Sequence, residues 1–307
     1  MPSCTQPRVS IGLPVYNGEK YLSETLEAIL AQTFQDFELI IADNASTDNT
    51  EEICRAYAAK DARVRYYRNE ENRGPAWNHN YVFELSRGEY FRWAAYDDLL
   101  APELVEKSVE ILDNDDSVVL CHAMAHVIAE PNCKARGKYD IQLNTDSEKP
   151  SERFYGLLFG DRKFGDHRCY QVYGVIRADV LKQTDLIGYY AHADGVLLVQ
   201  LSFLGRFHQI PEYLFFPRYH EKQSTEIARS RYHLYTAWFD PTKTGKITFP
   251  RWKIFFEYFK ATWRAPISFS ERGVCCFHLL NWLRKKRYRL REDLKIATKL
   301  VLARRFT

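Results

Sequence analysis

Three short polar pairs stand where apolar runs end: Tyr16-Asn17 after Val9 to Val15, Asp43-Asn44 after Phe37 to Ala42, and Asp97-Asp98 after Tyr90 to Ala94. The adjacent carboxylates of Asp97 and Asp98 are hard oxygen donors of the kind that hold Mg²⁺ or Mn²⁺. A cation held there can bridge a diphosphate and neutralise it as it leaves. The same dipeptide, with Pro102 downstream, also reads as the start of a helix. Asp43-Asn44 can bind a ligand or simply make the turn after a strand, and Tyr16 can stack on a base or cover the sheet end. In Asn72-Arg73-Gly74-Pro75 an arginine precedes a helix start, where it can meet phosphate oxygens or serve only a turn. Each of these signals is ambiguous alone.

The elements that must position them alternate. Val9 to Val15 reads as a buried strand, and Leu22, Leu26, Ile29 and Leu30 then share one helical face. Phe37 to Ala42 is a second strand, followed by a helix from about Thr50, where Asp48 and Glu51 have capping-box spacing. Val64 to Arg68, a helix opened by Pro75, the strand Tyr90 to Ala94 and a helix after Pro102 continue the pattern. Such alternation with short loops predicts a mostly parallel, doubly wound α/β sheet, whose ligands collect at the carboxyl ends of its strands. All three polar pairs lie at such ends and are therefore expected to converge. Beyond Asp116 the pattern predicts strands over Val118 to His122, Tyr170 to Arg177 and Tyr213 to Arg218, and helices over Ser151 to Phe159 and Ala193 to Leu204.

Composition and missing motifs narrow the function. The 307 residues are 46% hydrophobic and 27% charged, a soluble globular profile for one large domain with an extension. No apolar stretch approaches the roughly 20 residues of a membrane span, and the first residues lack a signal-peptide core, so a cytoplasmic location is expected. Seven cysteines without a C-x-x-C pair point to packing in a reducing compartment and weigh against a zinc site. No G-x-G-x-x-G follows the first strand, and G-x-x-x-x-G-K-[ST], G-x-S-x-G and H-E-x-x-H are all lacking. The dinucleotide dehydrogenase, P-loop, α/β-hydrolase and zincin readings thus lose their main support. The net charge of +3 conceals an asymmetry: residues 226–307 carry 19 Lys+Arg against 6 Asp+Glu, a balance of +13, while the rest carries −10. This basic tail, with apolar residues at helical spacing, can meet an anionic lipid face or pack on the acidic body. No nucleic-acid-binding motif accompanies its charge, so no nucleic-acid partner is expected.

Taken as a set, Val9 to Asn17, Gln32-Thr33-Phe34, Phe37 to Asp48, Asn72-Arg73-Gly74, Gly88 to Phe91 and Asp97-Asp98 resemble the family 2 glycosyltransferases of GT-A fold in order and spacing. The resemblance is close over residues 7–130 and looser to about 225. It implies an α/β GT-A fold, Rossmann-like with a mostly parallel sheet flanked by helices, and a C-terminal helical extension. It further implies a catalytic domain over 1–225, with the donor on about 7–115 and the acceptor on 116–225, and the extension over 226–307.

Carried over residue by residue, Pro14, Tyr16 and Asn17 would line the nucleotide base. Asp43, beside Asn44, would bond that base, and Arg73 would approach the diphosphate. Asp97 and Asp98 would serve the ribose and a metal-bound diphosphate, with Mn²⁺ or Mg²⁺ as the cofactor. Ala95 stands where many relatives have a further Asp. Asp194, preceded by Ala193 in place of the usual Glu, would be the general base toward the acceptor hydroxyl, or else a helix cap. His220, near Arg218, would close over the diphosphate or metal, or else serve structure alone. The Gln-x-x-Arg-Trp signature of processive synthases is lacking, because Thr248 stands where Gln would precede Arg251-Trp252. The implied activity is one sugar transfer from a nucleotide-diphosphate sugar to an acceptor hydroxyl, with inversion, in polysaccharide or glycolipid synthesis. A lipid-linked or glycan acceptor and peripheral contact with the inner membrane face fit this reading. A non-catalytic nucleotide-sugar-binding or membrane-surface scaffold is the alternative.

Overall fold

The computed structural model describes residues 6–130, 137–160, 169–220, 239–244 and 246–305. The order opens β1 (Val9–Val15), α1 (Leu22–Leu30), β2 (Phe37–Asp43), α2 (Thr50–Lys60), β3 (Val64–Arg68), α3 (Pro75–Glu84) and β4 (Tyr90–Trp93). These strands pair in parallel as β3-β2-β1-β4. β1 and β2 are buried along their whole length, which explains why they read as continuous apolar runs rather than alternating ones. A Cβ on Gly12 would lie 2.7 Å from Val82 Cγ2, so the glycine lets α3 pack closely on β1.

The second half is mixed. It contains β5 (Leu99–Leu100), α4 (Leu104–Asn114), β6 (Val118–Ala129), β7 (Gly137–Tyr139), α5 (Pro150–Phe159), β8 (Val175–Arg177), α6 (Ala178–Leu181), α7 (Ala193–Leu204), β9 (Arg206–Phe216) and β10 (Arg218–Tyr219). β8 joins antiparallel to both β4 and β6, and the sheet continues through β9 to β5. β6 pairs in parallel with β9 and β10 but antiparallel with β7, so the sheet is wholly parallel over β3-β2-β1-β4 and mixed beyond it. Tyr170–Tyr173, expected as strand, forms a 3-10 turn entered through Cys169 in left-handed conformation (φ 56°). The strand expected from Tyr213 begins at Arg206, because the β6 pairing steps from Ala123↔Ile210 to Met124↔Tyr213. Pro211 and Glu212 are thereby left out of register, which tolerates the missing proline N–H. The Asp48–Glu51 capping box does not form: Asp48 accepts from Thr50 N and, across the loop, from Glu19 N, with Asn49 at the cap position.

α8 (Pro250–Arg264) and α9 (Phe269–Arg305) pack on α7 and α5. Cys275, Leu279, Trp282, Leu290 and Ala297 form the buried seam of α9, at the three- and four-residue steps of one helix face. Ile254, Tyr258, Leu279 and Trp282 share one apolar cluster with Phe154, Leu197 and Leu201 of the body. The extension and the body thus hold a core in common. Asp293 of α9 accepts from Arg251 N at 2.7 Å, and so satisfies an N-terminal donor of α8. No helix among the described residues is long and apolar enough to cross a membrane.

On β6, burial pushes the His122 imidazole down to about 4. The unfolded chain binds this proton near pH 6.5 and the native one only near pH 4, so stability present above pH 6.5 is lost as pH falls through that window. Urea unfolding at pH 5 is expected to show a loss of about 2 kcal/mol from this group relative to pH 7. His122→Gln is expected to remove that share of the pH dependence; an unchanged profile would contradict the assignment.

Candidate functional site

The loops after β1, β2 and β4 meet at one end of the sheet, stitched by side chains. Asn17 takes a left-handed backbone (φ 52°); its N–H donates to Ser46 Oγ at 2.9 Å, and its Oδ1 accepts from Thr47 N at 2.8 Å. Pro14 is buried opposite Ala42, past the last β1–β4 rung at Gly12↔Trp93, while Tyr16 is 44% exposed at the rim. Asp43 is fully buried. Its carboxylate accepts from Ser46 N at 2.8 Å, Tyr66 Oη at 2.9 Å and Arg68 Nη1 at 2.6 Å. No motif marks Tyr66 and Arg68 in the sequence, although two-residue spacing places both on one face of β3.

Asn44 organises the next loop. Its Oδ1 accepts from Asn69 Nδ2 and from Arg73 N, both at 3.0 Å, and its Nδ2 donates to Asn72 Oδ1 at 2.9 Å. The exposed Arg73 guanidinium lies 4.3 Å from the Trp77 ring centroid. Gly74 opens α3 at φ 85°, a conformation that favours glycine.

The two carboxylates after β4 turn different ways. Asp97 Oδ2 lies 2.9 Å from His220 Nε2, at the described end of the strand segment carrying Arg218. Asp98 points inward, 8% exposed, and its Oδ1 accepts from Arg218 N at 2.9 Å. Burial, and then the Asp97 charge, pushes the Asp98 carboxyl well above the usual carboxylate range. Arg218 binds the turn a second time through Nε to Asp97 O at 2.9 Å, reaches Glu24 at 2.7 Å and stacks over Tyr21. Thr25 Oγ1 of α1 holds the carbonyls of Tyr96 and Asp98 at 2.9 and 3.0 Å. Beneath lies Arg92, wholly buried, with no hydrogen-bond partner for its guanidinium among the described residues. Burial pushes it down to about 10, opposed by the charge of Asp98.

Asp194 stands in the first turn of α7, its side chain 40% exposed, with Oδ1 accepting from Gly195 N at 2.8 Å. The preceding segment is held to α3 by Asn80, which donates to Ile187 O and accepts from Ile187 N, each at 3.0 Å. Charge coupling places Asp194 near His79 of α3 and Tyr189 near Arg73. Asp194 therefore belongs to the α3 side of the site, and among the described residues no hydrogen bond or ion pair joins it to Asp97 or His220. His192, at φ 66°, is 3.8 Å from it. Cys169, His192 and Asp194 form the one group of three potential metal ligands found among the described residues. Gln223-Ser224-Thr225, part of the resemblance downstream of His220, lies outside the described residues.

The family model for glycosyl transferase family 2 matches residues 10–184. An uncharacterized glycosyltransferase of Rickettsia typhi is 40% identical over 118 residues, which are 38% of this chain and 36% of that protein. Glycosyltransferase GlyG of Streptococcus pneumoniae is 37% identical over 112 residues, covering 36% and 37%. The match thus spans little more than a third of these relatives' length. Among solved structures, Staphylococcus aureus TarS residues 1–349 superposes with a TM-score of 0.64 at 17% identity, over 90% of this chain and 71% of that one. The mannosyltransferase PcManGT of Pyrobaculum calidifontis, solved with GDP-Man and Mn²⁺, gives 0.54 at 17% identity, over 97% and 81%. The fold is of GT-A type, with a mostly parallel central sheet, flanking helices and C-terminal helices beyond them. With the family model matched across more than half of its residues, this chain belongs to glycosyl transferase family 2.

Proposed function

We propose that this chain transfers one sugar from a nucleotide-diphosphate donor to an acceptor hydroxyl, inverting the anomeric carbon, in the synthesis of a polysaccharide or glycolipid. The observation that carries this reading is the Asp97–His220 pair at the carboxyl end of the sheet. Its 2.9 Å separation suits two neighbouring positions of an octahedral cation, which lie about 3 Å apart when metal–ligand bonds are about 2.1 Å. One carboxylate and one imidazole leave further positions for phosphate oxygens, so the donor set fits Mn²⁺ or Mg²⁺. A cation bound there supplies positive charge to the departing diphosphate. Arg218 fixes both ligands by holding the Asp97–Asp98 turn, and the loops of Pro14, Tyr16, Asn17, Asp43, Asn44 and Arg73 form the nucleotide side. Asp98 supports the turn from below.

On the acceptor side Asp194 takes the proton. The acceptor oxygen bonds to the anomeric carbon, the bond from that carbon to the diphosphate oxygen breaks, and the hydroxyl proton passes to the Asp194 carboxylate. TarS solved with UDP or UDP-GlcNAc, and PcManGT with GDP-Man, share the fold and support a nucleotide sugar as donor. The test is nucleoside-diphosphate release from a panel of UDP-, GDP- and dTDP-sugars with glycan and lipid-phosphate acceptors, and the product's anomeric configuration by NMR. Release with one donor class, abolished by chelator, is expected; a folded protein that releases nothing from any donor contradicts the proposal.

The same reading places the acceptor at a membrane surface, on the cytoplasmic side. Trp263, Phe277 and Leu280 of α8 and α9 are 60–65% exposed, and Arg284, Lys285, Arg287 and Arg291 are exposed further along α9. Apolar side chains beside rows of cations suit the headgroup region of an anionic bilayer. Replacing Trp263, Phe277 and Leu280 together with Ser is expected to reduce co-sedimentation with phosphatidylglycerol vesicles at least tenfold without lowering the urea midpoint. Undiminished binding contradicts the assignment.

A further inference from the structure

Cys169 Sγ, His192 Nδ1 and an Asp194 carboxylate oxygen lie within 4.8 Å of one another, although 25 residues separate the outermost two in the chain. Sγ is 4.0 Å from Nδ1, and Nδ1 is 3.8 Å from Asp194 Oδ1. Around tetrahedral zinc, with bonds of about 2.3 Å to sulfur and about 2.0 Å to nitrogen and oxygen, those separations are about 3.6 and 3.3 Å. Those two pairs close with a contraction of about half an ångström, and the sulfur–carboxylate pair, within 4.8 Å, with one of at most about 1.2 Å, which side-chain rotation can supply. Three further features favour a metal. The other imidazole nitrogen, Nε2, lies 3.0 Å from Tyr258 Oη of α8. Donation from Nε2–H to that hydroxyl leaves the Nδ1 lone pair facing Cys169 and Asp194, the outer bond that ligating histidines usually make. The ring is also packed on Gly195, where a Cβ would fall 2.3 Å from Nε2. Finally, Cys169 is buried while His192 and Asp194 are 27% and 40% exposed, which gives the cluster both a fixed base and an entrance.

We infer that Cys169, His192 and Asp194 bind Zn²⁺, and that the bound ion holds the Asp194 carboxylate and so suppresses sugar transfer. A thiolate, an imidazole and a carboxylate suit zinc, unlike the Asp97–His220 pair, and three protein ligands leave a fourth position for water. Binding releases the Cys169 thiol proton to solvent as the sulfur–zinc bond forms. The binding site stands on its own geometry; the suppression rests on Asp194 being the acceptor-side base.

The test uses the full, metal-stripped chain under reducing conditions. Zn²⁺ is titrated in competition with a chromophoric chelator, and Co²⁺ is added separately to look for thiolate-to-metal charge-transfer absorption. One ion per chain is expected, with affinity lowered at least tenfold in both Cys169→Ser and His192→Ala, whose folding is checked by circular dichroism. Turnover of the wild type at saturating Mn²⁺ is expected to fall at least tenfold as this site fills, and turnover of Cys169→Ser to persist at the same free Zn²⁺. No stoichiometric binding, or binding indifferent to both substitutions, overturns the site. Inhibition that survives in Cys169→Ser places zinc elsewhere and overturns the suppression. If zinc binds here while Asp194→Asn keeps full turnover, the base assignment fails and the metal site stands.

Discussion

Asp194→Asn is expected to lower kcat for sugar transfer by about 10²–10⁴-fold, the share that a positioned general base contributes, while the donor dissociation constant changes less than about threefold. The asparagine keeps the volume of the side chain and the oxygen that accepts from Gly195 N at 2.8 Å, so the first turn of α7 keeps its local bond. What is lost is the second lone pair with enough basicity to take a proton. The carboxylate is 40% exposed and stands on the α3 side of the site, without a bond to Asp97 or His220, so donor binding has no direct reason to respond. Single-turnover transfer and equilibrium donor binding, measured on the same preparation, check the split. Equal loss of both would make Asp194 a structural residue of the α7 turn, and a wild type with binding but no turnover would favour the non-catalytic reading that Ala95 and Ala193 suggest.

Asp97→Ala is expected to abolish the metal-dependent part of donor binding and to lower kcat/KM by at least about 10³-fold. On the proposed assignment it removes a metal ligand, and it leaves His220 without its 2.9 Å partner. His220→Ala would remove the proposed second ligand and is expected to cost about 10²-fold, because the carboxylate and phosphate oxygens would still hold a cation. Asp98→Asn provides the contrast. Burial, and then the Asp97 charge, push the Asp98 carboxyl well above the usual carboxylate range, and its bond to Arg218 N needs only an acceptor oxygen. Donor affinity in Asp98→Asn is therefore expected to stay within about threefold of wild type. Titrations of the three variants with Mn²⁺ and with chelator separate a metal ligand from a buried strut.

The first half of the molecule is legible in its sequence because each local signal agrees with the fold. Val9 to Val15 and Phe37 to Asp43 are buried along their whole length, so their sequences are dominated by apolar residues without polar alternation, and the polar residues at their carboxyl ends gather at one end of the sheet. Ala193 to Leu204 and Gly205 gave away the α7 helix in the same manner. The second half is less legible for physical reasons. Tyr170–Tyr173 has strand-forming side chains, but the left-handed Cys169 forces a tight turn. His208 to Tyr213 contains a proline and polar residues that argue against a strand, yet long-range pairing with β6 absorbs Pro211 in a register shift. No local spacing announces that Tyr258 meets His192, or that Arg92, from inside the sheet, sits under Asp98. The scattered cysteines looked inert because only the fold brings Cys169 to His192 and Asp194.

The extension shows the same limit. Its charge excess is plain from composition, and both readings of it hold part of the geometry: one face of α9 is buried with the body, and the opposite face presents exposed Phe277, Leu280 and Tyr288 among cations. Because Ile254, Tyr258 and Trp282 belong to the common core, cutting the chain after Thr225 would expose the apolar surface of α5 and α7. Substitutions on the outer face are the appropriate probe of membrane contact.

The measurement that bears most directly on the central claim is calorimetric titration of the chain with UDP-, GDP- and dTDP-sugars, with Mn²⁺ and again with chelator, repeated on Asp97→Ala. The account predicts that one nucleotide class binds, that chelation weakens it, and that Asp97→Ala binds equally weakly with and without the metal. Binding that ignores both chelator and substitution, or no binding of any nucleotide sugar by a folded protein, would contradict a metal-dependent donor site at Asp97 and His220.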